Sequence, residues 1–420
     1  MTSRDSALEI PQGPYDVEAV RRDFPIFDRK VHDRPLIYLD NAATTQRPKQ
    51  VVEAMVGYFQ NYNANIHRAI HTLGYESTVA YEEAHKKVAR FINAKSWREI
   101  VFVRNATEAL NLVAMTWGQS NLRAGDEVVV SLMEHHSDIV PWQMLRDRLG
   151  IGLKFIPVTQ DGALDLDAAK EMITSRTKLV GVVHASNVLG AVNPVADLRE
   201  MASKVGALFL LDGAQSAPHM TIDVRALDCD FFAASGHKMC GPTGIGFLYA
   251  KKALLEAMPP FLTGGDMIAT VTTEGSTWNE LPWKFEAGTA AIAEGIGMGA
   301  AVDYLQGLGM ASIYQYEREL GDYALERLRG LNHVTLYGHR RGEHLAVFSF
   351  NLQGVHPHDG ANLLDRFGIA MRSGHHCAQP LMTFLGMDNT LRASLYLYNT
   401  KAEVDKLVEA LREVQKLFNR

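Results

Sequence analysis

The stretch Phe231-Phe232-Ala233-Ala234-Ser235-Gly236-His237-Lys238-Met239-Cys240-Gly241-Pro242-Thr243-Gly244-Ile245-Gly246 decides how this chain is read. Residues 230–234 form a short apolar run with the length and flanks of a buried strand. The run ends in Ser235-Gly236-His237-Lys238, with Gly241, Pro242, Gly244 and Gly246 just beyond. A lysine between a strand end and a glycine-rich turn is held in place, and backbone amides there can approach a ligand closely. Buried in a cleft, such an amine has a lowered pKa and forms a Schiff base readily. On an open loop it is an ordinary surface lysine, so the rest of the chain has to choose between the two.

On either side of this stretch, strands and helices alternate. Strand candidates fall at 101–104, 128–130, 153–156, 179–183, 208–211, 230–234 and 247–249, with helical segments between most of them. That pattern predicts an α/β fold, a mostly parallel central sheet with helices on both faces. Another strand candidate lies at 36–39, and Tyr81, Ala84, Val88, Phe91 and Ile92 recur at helical spacing. After about residue 285 the texture changes. Helices at 290–305 and 313–331 precede short strands at 346–351, 370–373 and 392–397. The last helix is marked by a Thr400/Glu403 capping box and a stripe of Val404, Leu407, Val408, Leu411 and Val414. The expected division is a large α/β domain over 30–285 and a smaller α+β domain made of 1–29 and 286–420.

Composition sets limits on function. The 420 residues are 47% hydrophobic and 21% charged, enough for a large core and two domains without a disordered bias. A net charge of -6 with no dense basic run argues against nucleic acid or an anionic membrane as the main partner. No apolar stretch approaches membrane-span length, and residues 1–16 lack the apolar core of a signal peptide. Cys229, Cys240 and Cys377 are too few and too scattered for a disulfide framework or a zinc site, so no metal is expected and a cytoplasmic setting fits.

In open α/β sheets ligands bind beyond the carboxyl ends of the strands, so the polar residues there carry the information. Asn105 with Glu108 three residues on signals a helix start, offering the Ala106 and Thr107 amides and the Thr107 hydroxyl to a phosphate. Asp212 closes the strand at 208–211, where a carboxylate is placed to pair with a protonated ring nitrogen. Gln215 follows within reach of a ring oxygen. His135, after the strand at 128–130, is placed to lie on a ring face and move protons near neutral pH. Cys377 sits on a glycine-containing loop among Arg372, His375 and His376, a setting that favours thiolate. Arg392 heads a strand and suits a carboxylate clamp. Each of these has an ordinary structural reading: a cap, a turn, a core histidine, a surface ion pair. Together they are the parts of a pyridoxal phosphate enzyme acting on α-amino acids.

The order and wording of these segments resemble the fold-type I pyridoxal phosphate enzymes. Within them the chain is similar to the cysteine desulfurases of the class-V aminotransferase type, in the SufS/CsdA, selenocysteine lyase-like branch. LDNAATT, NIHRAIHTL, MEHHSDIVPWQ, HASNVLGAVNP, LDGAQSAPH, SGHKMCGPTGIG, WKFEAGT, RSGHHCAQP and RASLYLYNT occur in family order from about Tyr38 to Thr400. The resemblance implies pyridoxal 5'-phosphate as cofactor and Lys238 as the Schiff-base lysine. It implies Asp212 on the pyridine nitrogen, His135 as ring stacker and acid/base, and Gln215 on the phenolic oxygen. Thr107, Ser235 and His237 would hold the phosphate together with the Ala106 amide. Thr289 would reach the phosphate of the neighbouring subunit, which implies a homodimer. Asn187, Arg392 and Arg372 would bind the carboxylate of L-cysteine, with His67 and Arg68 lining the entrance. Cys377 would accept the sulfur and hand it to an acceptor protein (SufE- or SufU-like) for iron–sulfur cluster assembly. The short RSGHHCA loop looks like the SufS branch, since the NifS/IscS branch carries a longer one. Two positions depart from the family: Ala290 where proline usually follows EAGT, and Ala106 where glycine or threonine usually precedes the phosphate-binding threonine. A kynureninase-like lyase, an aminotransferase, a selenocysteine lyase and an idle sulfur carrier are the alternatives. Cys377 speaks against the first two, and intact Lys238, Asp212 and His135 against the last.

Overall fold

The computed structural model describes residues 15–68, 70–159, 161–338 and 343–418. The leading stretch that was expected to lack a signal peptide lies almost wholly outside them. The centre is a sheet of seven strands. We number them β1 (Ile100–Val103), β2 (Glu127–Ser131), β3 (Gly152–Ile156), β4 (Thr177–Val183), β5 (Leu208–Asp212), β6 (Phe231–Ser235) and β7 (Gly246–Ala250). Their spatial order is β1-β7-β6-β5-β4-β2-β3. From β3 to β6 all neighbours are parallel, whereas β7 runs against both β6 and β1. The sheet is therefore mixed. The short Lys238 turn between β6 and β7 is the reason, because it is too brief for the helical crossover a parallel neighbour needs.

Most strands of this sheet are buried along their whole length and rich in Val, Leu, Ile and Phe, as both-face coverage requires. One face packs against the helices Lys49–Asn61, Thr72–Phe91 and Ile292–Leu308, with Tyr81, Val88, Phe102, Phe232 and Val302 in a common core. Val113, Trp117, Trp142, Leu145 and Phe231 fill the other face. Among the described residues no helix is long and apolar enough to cross a membrane.

A second sheet carries β8 (Val334–Tyr337), β9 (Val347–Leu352), β10 (Arg372–Gly374) and β11 (Thr390–Ser394) in the order β8-β9-β11-β10. Helix Lys401–Phe418 covers it. The Thr400 hydroxyl and Glu403 carboxylate cap that helix reciprocally, and the whole Val404–Val414 stripe is buried. Each of those side chains is worth about 1.5–3 kcal/mol on burial. The two sheets lean on each other. Strand Ile37–Tyr38 pairs in parallel with Ile369–Ala370, while helix Ile292–Leu308 shares the core of the large sheet.

A hairpin at Ile268–Val271 and Ser276–Trp278 has no counterpart in the sequence pattern. Its strands are almost wholly exposed and threonine-rich, so they lack the apolar alternation by which a strand is read.

Candidate active site

The carboxyl ends of β2, β4, β5 and β6 open on one cavity of about 620 Å³, closed on the far side by the loop after β10. Lys238 ends a single helical turn, Gly236–Lys238, at the tip of β6. The turn is tied down at one atom. The His237 carbonyl accepts from the Thr45 amide at 3.0 Å and from the Thr44 and Thr45 hydroxyls at 3.1 Å each. Thr44 and Thr45 belong to the segment after Ile37–Tyr38, and the second sheet braces that segment in turn. Asn41 donates to the Ser394 carbonyl at 2.7 Å and to Asn399 at 3.1 Å, and Gln46 donates to the Tyr398 hydroxyl at 2.9 Å. Glycine is required where β7 begins. A Cβ on Gly246 would stand 2.5 Å from the Ala234 carbonyl oxygen and 2.8 Å from Asn105 Cα, so only a bare backbone lets these segments meet.

Burial pulls the Lys238 amine from its usual value down to about 8, with the charge of Asp212 opposing and that of Arg392 assisting. Asp212 is buried at the end of β5. Burial raises its carboxyl, while the Ala214 amide, at 2.8 Å, and the charge of Lys238 pull it down. His135 is pushed to about 3 by burial and by the charges of Lys238, His136 and Arg392, so it is a neutral imidazole at physiological pH. Its Nδ1 accepts from the Ser137 amide at 3.2 Å and lies 2.7 Å from the Ser137 hydroxyl, which leaves the proton on Nε2.

Helix Ala106–Val113 starts beside the cavity, capped by Asn105, whose side chain accepts from the Glu108 amide at 3.0 Å. The Glu108 carboxylate reaches back to the Arg104 amide, one residue before the position a full capping box would use. One expectation is corrected here. The Ala106 amide is not free for a phosphate, because it donates to the Ser235 hydroxyl at 2.9 Å. What remains for an anion is Thr107, whose amide and hydroxyl have no protein partner among the described residues, with the Ser235 hydroxyl proton and His237 alongside.

The opposite wall is basic. Arg392, on β11, is fully buried and donates to the Asn187 carbonyl at 3.0 Å and to Asp40 at 3.2 Å. Arg372, on β10, is half exposed and makes a bidentate pair with the same Asp40 at 2.9–3.1 Å. Cys377 is exposed at the cavity wall, whereas burial pushes the Cys229 and Cys240 thiols up to about 12. Among the described residues no cluster of three or more His, Cys, Asp or Glu side chains could hold a metal ion.

Lys238, Asp212, Gln215, His135, Ala106, Thr107, Ser235, His237, Asn187, Arg372, Arg392 and Cys377 thus share one cavity. His67, Arg68 and Thr289 do not line it. The His67 ring lies 4.2 Å from that of Trp283, while Arg68 and Thr289 are exposed. Four polar atoms of residues lining the cavity are buried without a partner: Gln215 Oε1, Asn187 Oδ1, His376 Nδ1 and Arg392 Nε. Native structures leave few such atoms unpaired, so their convergence on one space fits a polar ligand. Pyridoxal phosphate has complementary parts: an aldehyde for Lys238, a basic ring nitrogen for Asp212, a ring face for His135 and a phosphate for Thr107 and Ser235. Asp40 and His136 hold the arginines and the cysteine loop, and no sequence signal singled either of them out.

Comparison with known proteins agrees with this geometry. The family model for aminotransferase class-V matches residues 37–407. A probable cysteine desulfurase of Halobacterium salinarum is 52% identical over 408 residues, covering 97% of this chain and 98% of that one. The apo structure of a cysteine desulfurase from Thermococcus onnurineus superposes with a TM-score of 0.90 at 42% identity and covers both chains completely. The cysteine desulfurase CsdA of Escherichia coli, in its S-sulfonic acid form, also gives a TM-score of 0.90, at 38% identity over 97% of this chain and 100% of that one.

Proposed function

The chain belongs to the class-V aminotransferase family and is a pyridoxal-phosphate-dependent cysteine desulfurase, and on that footing we propose that Cys377 takes the sulfur of L-cysteine as a persulfide and releases L-alanine. The observation that carries this reading is the meeting of a buried amine, a buried carboxyl and an exposed thiol in one cavity.

When bound, the cofactor supplies the electron sink that makes the substrate Cβ–S bond breakable. In our reading Lys238 holds it, Asp212 keeps its ring nitrogen protonated, His135 covers its face, and Gln215 meets its phenolic oxygen. Thr107, Ser235 and His237 take its phosphate. Arg392, with Asn187 and Arg372, binds the substrate carboxylate, which also cancels a buried positive charge. Once freed, the Lys238 amine takes the substrate α-proton at Nζ, a task suited to an amine poised near pH 8. His135, neutral with its proton on Nε2, relays protons on the ring face. The Cys377 thiolate then attacks the substrate sulfur. A Sγ–S bond forms as the Cβ–S bond breaks, the electron pair stays with carbon, and Cβ is protonated to give the alanine methyl group.

The finer assignments form part of the same proposal. A short cysteine loop, bonded to the segment after β2, supports the SufS/CsdA branch and a dedicated acceptor protein, SufE- or SufU-like, feeding iron–sulfur cluster assembly. A homodimer is supported by exposed apolar side chains on adjoining segments, Phe59, Ile70, Leu73 and Tyr75. It would bring Thr289 to the partner's phosphate, and His67 and Arg68 to an entrance. We take 30–285 as the cofactor-binding domain and 286–420 with 1–29 as the domain carrying the cysteine loop. Scattered cysteines support a cytoplasmic setting.

The test is alanine release from L-cysteine, with a reducing thiol present, by the native chain and by Cys377→Ala. The proposal expects alanine from the first and none from the second. Equal release makes the thiol a bystander. A Cys377→Ala chain that still releases selenide from selenocysteine would point to selenocysteine as the main substrate.

A further inference from the structure

Two consecutive non-glycine residues of the cysteine loop, His376 and Cys377, lie in the left-handed region with φ of 52° and 55°. Side chains there crowd their own backbone, and such strain persists only where surrounding bonds over-determine it. Here the bonds come from Thr390, Asn187 and His136, the first through its hydroxyl, 2.8 Å from His376 Nε2. Asn187 donates its side-chain amide to the His376 carbonyl at 2.7 Å. His136 makes the other two: its backbone amide donates to the Cys377 carbonyl at 2.8 Å, and its Nε2 accepts from the Gln379 amide at 3.0 Å. Within the loop, the Cys377 amide donates to His375 Nδ1 at 3.1 Å, and the His375 ring lies 5.6 Å from that of His136. One residue thus holds the strained cysteine at two points, its own carbonyl and the amide two residues on, and it follows His135 directly in the chain.

We propose that His136 is a positioning residue for sulfur transfer, clasping the left-handed Cys377 so that its thiol is held in the cavity at a fixed distance from the residue on the ring face. Its backbone bond survives every substitution but proline, and its imidazole bond does not. Losing the imidazole removes the only acceptor of the Gln379 amide among the described residues and lets the loop relax out of the left-handed region. The thiol then meets the substrate sulfur less often. Steps before that encounter use Lys238, Asp212 and Arg392, none of which His136 bonds, so they stay intact. The proposal rests on Cys377 as the sulfur acceptor.

The experiment compares the native holoenzyme with His136→Ala and His136→Gln, glutamine offering a replacement acceptor for the Gln379 amide. Amide hydrogen exchange is followed in a peptide spanning 375–382, together with the cofactor absorbance change on adding L-cysteine and single-turnover alanine formation. In His136→Ala, exchange at Gln379 and the fall in alanine formation should each reach about tenfold, the size of one lost hydrogen bond. The absorbance change and the KM for L-cysteine should stay within about twofold of native, and glutamine should restore most of the loss. Unchanged exchange and unchanged alanine formation overturn the proposal, and so does an absorbance step slowed as much as alanine formation. Should His136→Ala fail to fold, Gln379→Pro removes the donor from the other side at a first helical position that tolerates proline. Exchange does not depend on what Cys377 does chemically, so altered exchange with alanine formation independent of Cys377 would sink the acceptor role and leave the clasp standing.

Discussion

Arg372 and Arg392 stand directly opposite each other on the antiparallel pair β10 and β11. Like charges in that register repel. Asp40 lies between them, bidentate to Arg372 and singly bonded to Arg392. The half-exposed arginine spends its Nε–Nη2 edge on the carboxylate, whereas the buried one keeps its Nε free. One negative charge serving two positive ones leaves a net cation in the wall, which suits a substrate carboxylate. Asp40→Asn keeps the shape and removes the charge. It should lower kcat/KM for L-cysteine by about 10- to 100-fold, the equivalent of roughly 1.5–3 kcal/mol for a charged hydrogen bond. Most of the loss should fall on KM. Steady-state kinetics checks this, and a loss confined to kcat would refute it.

Lys238 supplies a pH prediction. Its folded value, about 8, lies below the 10.5 of a free lysine. At pH 8 roughly half of the amine is neutral, against well under about 1% for an exposed lysine. In the cofactor-free chain, the rate of covalent capture of pyridoxal phosphate should climb through pH 7 to 8 and level off above pH 9. The sign for stability is the same. The unfolded chain binds the extra proton between pH 8 and 10.5, so this group's contribution to stability rises with pH across that window. A capture rate still climbing steeply at pH 10 would show an ordinary lysine.

How much of this was legible follows from what each residue depends on. Lys238, Asp212 and His135 sit just past apolar runs, and a strand end can be read locally. The Thr400 cap and the stripe after it are equally local. Asp40 is different: its partner Arg372 lies 332 positions away, and nothing near Asp40 shows that two facing arginines need a counter-charge. The Ala106 amide was misread for a related reason. A helix start advertises free amides, but Ser235, brought alongside by the β6–β7 pairing, takes that one.

Glu134 and Asp138 form a buried carboxyl pair behind His135, and burial pushes both well above the usual carboxylate range. Glu134 accepts from the Val183 amide at 2.8 Å and Asp138 from the Trp142 indole at 2.9 Å, but one oxygen of each has no separate donor. A carboxyl that keeps its proton in the fold and loses it on unfolding stabilises the chain at low pH. That contribution is lost as pH rises from about 4 toward the folded value, at up to about 1.4 kcal/mol per unit. Asp138→Asn removes one such group and gives Glu134 an amide donor. The variant should gain stability relative to native as pH goes from 5 to 8, seen in urea midpoints. A difference independent of pH would mean that the pair is ionised in the fold.

The apolar surface around Ile70 carries the last prediction. Phe59 is 57% exposed, Tyr75 69% and Ile70 fully so, on segments flanking the short stretch that holds His67 and Arg68. Exposed apolar side chains gathered this way mark an interface more often than bare surface. Thr289 is likewise exposed and lines no part of its own chain's cavity. If a second copy covers this surface, it completes the phosphate site with its own Thr289, and assembly and cofactor affinity become linked. Phe59→Asp with Leu73→Asp should then yield monomers by light scattering, with pyridoxal phosphate bound about tenfold or more weakly. Thr289→Ala should weaken cofactor binding while the dimer stays intact. Monomers that bind the cofactor as tightly as the native chain would place the whole phosphate site within one subunit.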